Sequence, residues 1–186
     1  MAILKELPSQ TAGPYVHIGC APSSAGLANI YGGDELGSKM IKIPTNHQEI
    51  DLTGKIYDAN GDVIKDALVE IWQAAPDGTF NQTDYFTNWG RQSTDNETGF
   101  FKFETLMPGM VENQAPHVFL WIAARGINLA LATRIYFEDN DILNKRDPIL
   151  GLAGARAKTL IATKSKTGYH HEIHIQGPNE TVFFNV

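Results

Sequence analysis

Four clusters in this sequence carry side chains able to do chemistry. The densest is Tyr169-His170-His171-Glu172-Ile173-His174. Successive side chains on a strand alternate faces, so His170, Glu172 and His174 would share one, two imidazoles and a carboxylate at a spacing a metal could accept. A strand face that simply meets water is the commoner fate of such residues. His117 opens an apolar run, where a lone histidine more often satisfies a hydrogen bond than holds a metal. Arg125 follows that run, and at a strand end its guanidinium could grip a carboxylate through two parallel hydrogen bonds; an ordinary surface arginine is the equal alternative. Thr11-Ala12-Gly13-Pro14-Tyr15 offers a hydroxyl on a backbone shaped by glycine and proline, which suits either a pocket rim or a plain turn. No glycine-rich phosphate loop, nucleophile elbow or paired-cysteine metal spacing occurs.

The elements that must position these residues read as strands. Ile50, Leu52, Gly54 and Ile56 alternate with polar residues, Asn60-Gly61 supplies a turn, and Val63, Ala67, Val69 and Ile71 return, closed by Trp72, a residue of buried type. That pattern predicts a β-hairpin. Phe101, Phe103 and Thr105 form one face of a further strand, His117 to Ala124 a nearly continuous apolar one, and Leu131, Thr133, Ile135 and Phe137 another. Ala153 to Lys158 suits a helical turn. Thr159 to Lys164 and Tyr169 to Ile175 should pair across Ser165 to Gly168, and Thr181 to Val186 supplies a last strand. The class is all-β, a sandwich over residues 50–186 with little helix. Residues 1–49 differ, with glycine and proline interrupting any period, yet Tyr15, Ile18, Ile30 and Met40 are too apolar for a disordered tail. They read as an irregular N-terminal arm that packs on something.

Composition narrows the function. A net charge of −6 with no run of five like charges gives no footprint for nucleic acid. Cys20 stands alone, so no intrachain disulfide can form and a reducing cytoplasm fits best. The longest apolar run, Val118 to Ala124, is too short to span a bilayer, and the opening residues lack the pattern of an export signal. A soluble protein without a membrane partner is expected.

Several stretches together are similar to the intradiol ring-cleavage dioxygenases: Pro8 to Gly19, Val69-Glu70-Ile71-Trp72-Gln73-Ala74, Ala115-Pro116-His117, Ala124-Arg125-Gly126-Ile127-Asn128, Arg134-Ile135-Tyr136-Phe137, and Ile175-Gln176-Gly177 with Glu180 to Phe184. Catalytic members of that family bind ferric iron through two tyrosines and two histidines on an antiparallel β-sandwich. Matching the motifs puts the tyrosine positions at Phe80 and Val111 and the His-x-His pair at His117 and Phe119. Phenylalanine and valine have no donor atom, so only His117 survives of four ligands. The resemblance therefore implies an alpha-type subunit that holds no metal itself. Its homologous beta subunit would carry the Fe(III), and the pocket for a carboxylated catechol and O2 would lie where the two chains meet, within a higher hetero-oligomer of alpha-beta pairs. Thr11, Gly13 and Pro14 of the arm, with Arg125, would line that pocket. Two rivals stand beside this reading. One is a prealbumin-like ligand-binding or regulatory module, suggested by Asp58-Ala59-Asn60-Gly61-Asp62 with Ala67-Leu68-Val69; the other is a stand-alone metalloenzyme using His170, Glu172 and His174.

Overall fold

A computed structural model describes residues 11–13, 15–30 and 32–185. Eight strands dominate it: β1 (Glu49–Tyr57), β2 (Leu68–Gln73), β3 (Trp89–Ser93), β4 (Phe100–Leu106), β5 (His117–Ala123), β6 (Leu131–Phe137), β7 (Ile161–Lys164) and β8 (Gly168–His174). They form one sheet in the order β3-β2-β5-β6-β7-β8-β1-β4, which curls until it is nearly closed. Helix is confined to short pieces. These are α1 (Tyr15–Cys20), α2 (Asp141–Asn144) and α3 (Pro148–Leu152), with 3-10 turns at Pro22–Ala25, Glu138–Asn140 and Gly154–Leu160. The last of these fulfils the expected helical turn.

Alternation builds the core. Leu52 and Ile56 of β1, Val69 and Ile71 of β2, Phe101 and Phe103 of β4, Val118, Leu120 and Ile122 of β5, and Ile135 and Phe137 of β6 meet in a single buried cluster. Each is an inward residue of a strand whose neighbours face out, which is the period-two burial that a one-sided core requires. Among the described residues the arm joins this core through Met40 and Ile41. Gly90 lets the Met40 thioether approach to where a β-carbon would sit only 2.7 Å from its sulfur, and Met40 is buried there.

Four expectations are corrected. The sheet is not wholly antiparallel: β1 pairs with β8, and β6 with β7, in parallel. A parallel pair needs a long crossover, and the helical segment from Glu138 to Leu160 supplies it between β6 and β7. The Asn60-Gly61 turn forms, with Gly61 N–H donating to the Asp58 carbonyl at 3.2 Å, but it does not lead into a hairpin. Only Tyr57 and Val63 pair across it, because both edges of β1 are already taken by β4 and β8. The returning chain must cross to the other half, where β2 pairs with β3 and β5. Trp72 is 48% exposed, not buried. The inward place at that end of β2 belongs to Gln73, whose amide donates to the Leu106 carbonyl at 2.7 Å and accepts from the Thr105 hydroxyl at 2.8 Å. Finally, the C-terminal segment forms no strand, since Phe184 makes a lone bridge to Ala132 while β7 takes the edge of β6 at Tyr136 and Phe137. Val186 lies outside the described residues.

Candidate functional site

Two sites that the sequence singles out sit at opposite ends of β5. At its C-terminal end the chain turns through Arg125-Gly126, with Ile127 N–H donating to the Ala124 carbonyl at 3.2 Å and Gly126 in the left-handed region at φ +85°. Thr11 clamps this turn. Its hydroxyl donates to the Ala124 carbonyl at 3.2 Å and accepts from Gly126 N–H at 2.7 Å, so both flanks of Arg125 are tied to the arm. The Arg125 Nε pairs with Asp66 just before β2, while the side chain remains mostly exposed. Neither Nη makes a hydrogen bond among the described residues, so the fork of the guanidinium keeps its donor capacity. A cleft of about 240 Å3 lies beside it, between His17, Ser24 and Ala25 of the arm and Asp66, Asn96 and Arg125 of the sheet ends. The Asn96 side chain holds the arm there, donating to the Ser24 carbonyl at 3.0 Å. Gly13 accepts from Val16 N–H at 3.1 Å and so starts α1. Pro14 lies outside the described residues.

Thr11 and Arg125 are thus brought together, although 114 positions separate them in the sequence. Asp66, His17 and Asn96 were not anticipated. Nothing local to Asp66 marks it as the partner of an arginine 59 residues on. His17 sits within the arm motif, and its Nε2 is buried without a hydrogen-bond partner.

The other end of β5 is closed by its own side chains. Six residue steps of strand separate His117 from Ala123, about 20 Å at ~3.3 Å per residue. The His117 Nδ1 lies 2.8 Å from the Ala115 carbonyl and its ring packs on Tyr136, with centroids 5.5 Å apart. Burial pushes the His117 pKa down, so the neutral ring donates to that carbonyl. Burial also pushes the Tyr136 phenol up to about 12, and it stays protonated, donating to Asp147 Oδ1 at 3.2 Å. Asp147 caps α3 and is saturated by donors: Ala115 N–H at 2.8 Å, Ile149 N–H at 2.8 Å and Leu150 N–H at 2.7 Å. The Arg134 guanidinium completes the layer, donating to Gln114 Oε1 at 2.6 Å and to the Tyr136 hydroxyl at 3.3 Å.

Phe80 and Val111 lie in the two loops that leave this end of the sheet, which touch where Gly109 N–H donates to the Ala75 carbonyl at 3.1 Å. Phe80 is exposed and Phe119 half-buried. With phenylalanine, valine and phenylalanine at the other three positions, the single imidazole of His117 does not fit a ferric ion, which needs several oxygen or nitrogen donors.

On β8, His170, Glu172 and His174 do share the outward face, but His170 turns to Thr53 of β1 while Glu172 and His174 both turn to Tyr57. The His170 Nδ1 lies 3.1 Å from the Thr53 hydroxyl, His174 stacks on Tyr57 at 5.0 Å, and Glu172 accepts from the Tyr57 hydroxyl at 3.2 Å. Among the described residues no group of three or more His, Cys, Asp and Glu side chains converges as a metal site would demand. That geometry gives the metalloenzyme reading no support. Among the same residues no helix is long and apolar enough to cross a membrane.

Known proteins agree with the fold. Residues 12–115 match the Dioxygenase_C family, described as dioxygenase, and the chain belongs to that family. Within it, the chain is a homologue of the protocatechuate 3,4-dioxygenase alpha chain: the Pseudomonas putida protein of that name is 40% identical over 198 residues, covering 98% of both chains. The protocatechuate 3,4-dioxygenase beta chain of Burkholderia cepacia is also related, at 27% identity over 187 residues, 83% of this chain and 79% of that one. Among solved structures, an intradiol ring-cleavage dioxygenase from Tetranychus urticae superposes with a TM-score of 0.59 at 19% identity, over 76% of this chain and 87% of that one. That last likeness is one of fold.

Proposed function

We propose that this chain is the alpha subunit of a protocatechuate 3,4-dioxygenase, an oxidoreductase that joins protocatechuate and O2 to give 3-carboxy-cis,cis-muconate. It works as the wall of a reaction chamber whose Fe(III) is held by a homologous beta subunit, in a cytoplasmic hetero-oligomer of alpha-beta pairs. The two four-strand halves packed about one core support reading residues 50–186 as a sandwich of mostly antiparallel strands, and residues 1–49 as an arm serving partner and pocket.

One observation carries the reading. The residues equipped to meet a carboxylated catechol, Thr11 and Arg125, lie at the end of β5 away from the former ligand positions, so they cannot line this chain's own former metal site. Their use is in a chamber completed by another chain. There Arg125 draws in the substrate carboxylate and fixes the ring by a forked, charge-assisted contact. Thr11, Gly13 and Pro14 exclude water and hold the ring in place, a positioning role.

The test is co-purification. Expressed alone, the chain should be colourless and inactive; with the iron-bearing beta homologue it should form a coloured, active complex. A coloured and active preparation of the single chain would overturn the reading.

A further inference from the structure

The crossover between β6 and β7 folds around a cavity that none of the chemistry above uses. Its volume is about 410 Å3, and every residue lining it lies between Glu138 and Ile161. Small-molecule sites typically run from ~300 to ~1,000 Å3, mostly apolar with a few placed polar groups. The floor here is apolar. Leu150 sits in a buried cluster with Ala115, Tyr136 and Leu160, and Ala157 and Ile161 pack against that cluster. Gly151 keeps the space open. Glycine weakens a helix such as α3, and at this position neither a positive φ nor a close neighbour demands one, since a β-carbon would meet nothing within 4 Å. What the glycine leaves is room.

The polar groups around that room say what would fill it. Asp141 is paired with Lys145 at 2.5 Å. Glu138 accepts from the Lys164 N–H at 2.6 Å, and the charge of that lysine lies close by. Lys158 differs from both, for it lines the cavity yet makes no ion pair among the described residues. Its ammonium is free to meet an anion. Asn144 donates through Nδ2 to the Phe137 carbonyl at 2.8 Å, while its Oδ1 is buried without a hydrogen-bond partner. A buried acceptor left unmet is costly, and a donor brought by a ligand relieves that cost.

We propose that this cavity binds a small carboxylic acid with an apolar body and a hydroxyl, the chemistry of a hydroxybenzoate. The body covers Leu150, Ala157 and Ile161, the carboxylate meets the Lys158 ammonium, and the hydroxyl donates to Asn144 Oδ1. A cationic ligand would face Lys158 instead of pairing with it, and a sugar would leave the apolar floor unmatched. The site is built wholly from this chain and shares no lining residue with the cleft beside Arg125. It therefore stands apart from the chamber proposed above and needs no second subunit.

The experiment titrates the 15N-labelled full chain with 4-hydroxybenzoate and follows its amide resonances. Saturable shifts should appear at Gly151, Gly154 and Lys158. Benzoate, which lacks the hydroxyl, and phenol, which lacks the carboxylate, should each bind at least about fivefold more weakly. Lys158→Ala should weaken 4-hydroxybenzoate about tenfold, and Lys158→Arg should recover part of the loss. Gly151→Leu puts a side chain into the cavity and should abolish the shifts with the melting temperature equal or higher, which separates loss of room from loss of fold. Should that variant unfold, Lys158→Ala decides, because Lys158 is exposed. Absence of saturable shifts up to about 10 mM would overturn the proposal. So would shifts confined to Gly126 and its neighbours, which would put the acid at the Arg125 cleft, or phenol and Lys158→Ala both matching the wild-type affinity for the acid.

Discussion

The two ends of β5 use the same kinds of residue in opposite ways. At the Arg125 end a guanidinium is exposed, paired through Nε alone, and set beside a cleft. At the His117 end a guanidinium is tied to a phenol and an amide, the phenol to a carboxylate that four donors already satisfy, and an imidazole to a backbone carbonyl. A polar cluster can serve either a ligand or the fold, and what distinguishes the two is spare bonding capacity. The Arg125 end has that capacity and should govern binding. The His117 end has spent its capacity and should govern stability.

Asp147→Ala is the strongest way to break the contrast. It strips the acceptor from three backbone N–H groups and the Tyr136 hydroxyl, and should cost about 3–5 kcal/mol in urea denaturation with little change in KM. Next comes Arg125→Ala. Loss of a charge-assisted contact worth about 3 kcal/mol should raise KM for protocatechuate in the complex roughly 100-fold, with a much smaller effect on unsubstituted catechol and under ~0.5 kcal/mol of stability. Equal losses on both catechols would show that Arg125 does not meet the carboxylate.

Acid titration separates burial from binding in the same way. Burial lowers the His171 pKa to about 4; a hydrogen bond with the Ile161 backbone opposes this in smaller measure, and the neighbouring His170 and His174 add slightly to it. The folded state therefore binds fewer protons than the unfolded one, so stability is complete above ~6.5 and falls as pH drops toward 4, by roughly 3 kcal/mol. His117 is shifted the same way, also chiefly by burial. Melts from pH 7 to 4 should flatten most in His171→Leu, slightly in His117→Phe, and not at all in Arg125→Ala. Thr11→Val, which removes both clamp hydrogen bonds, should cost about 1–2 kcal/mol locally and raise KM several-fold. Smallest of all, His117→Phe should leave kcat/KM of the complex within about threefold.

Much of this was legible in the residues, and the gaps have physical causes. Apolar alternation found β1, β4 and β6 because it reports which face is buried, and a nearly continuous apolar run found β5. It does not report which edge is paired, so the parallel joints and the aborted hairpin stayed hidden. Trp-Gly-Arg-Gln-Ser, the sequence of β3, shows no alternation, since its inward place is filled by Gly90 making room for Met40. Trp72 misled because tryptophan is usually buried, whereas here the strand phase set by Ile71 and Gln73 turns it outward. Thr11 and Arg125 were marked by motif, but their contact depends on how the arm folds back. Asp147-Pro148 carries a helix-start signature in plain sight, an acceptor followed by proline at the first helical position, yet its second duty, holding Ala115 and Tyr136, arises only when β5 and β6 lie side by side.

The shortest strand also has a role of its own. β7 joins the two halves of the sheet through two register pairs to β6 and two to β8, fewer than any other seam between adjacent strands. Amide protons along Ile161–Lys164 should be the first in the sheet to trade with deuterium. Pulled apart, the molecule would unzip there like a book losing its spine, leaving two leaves of strands on either side.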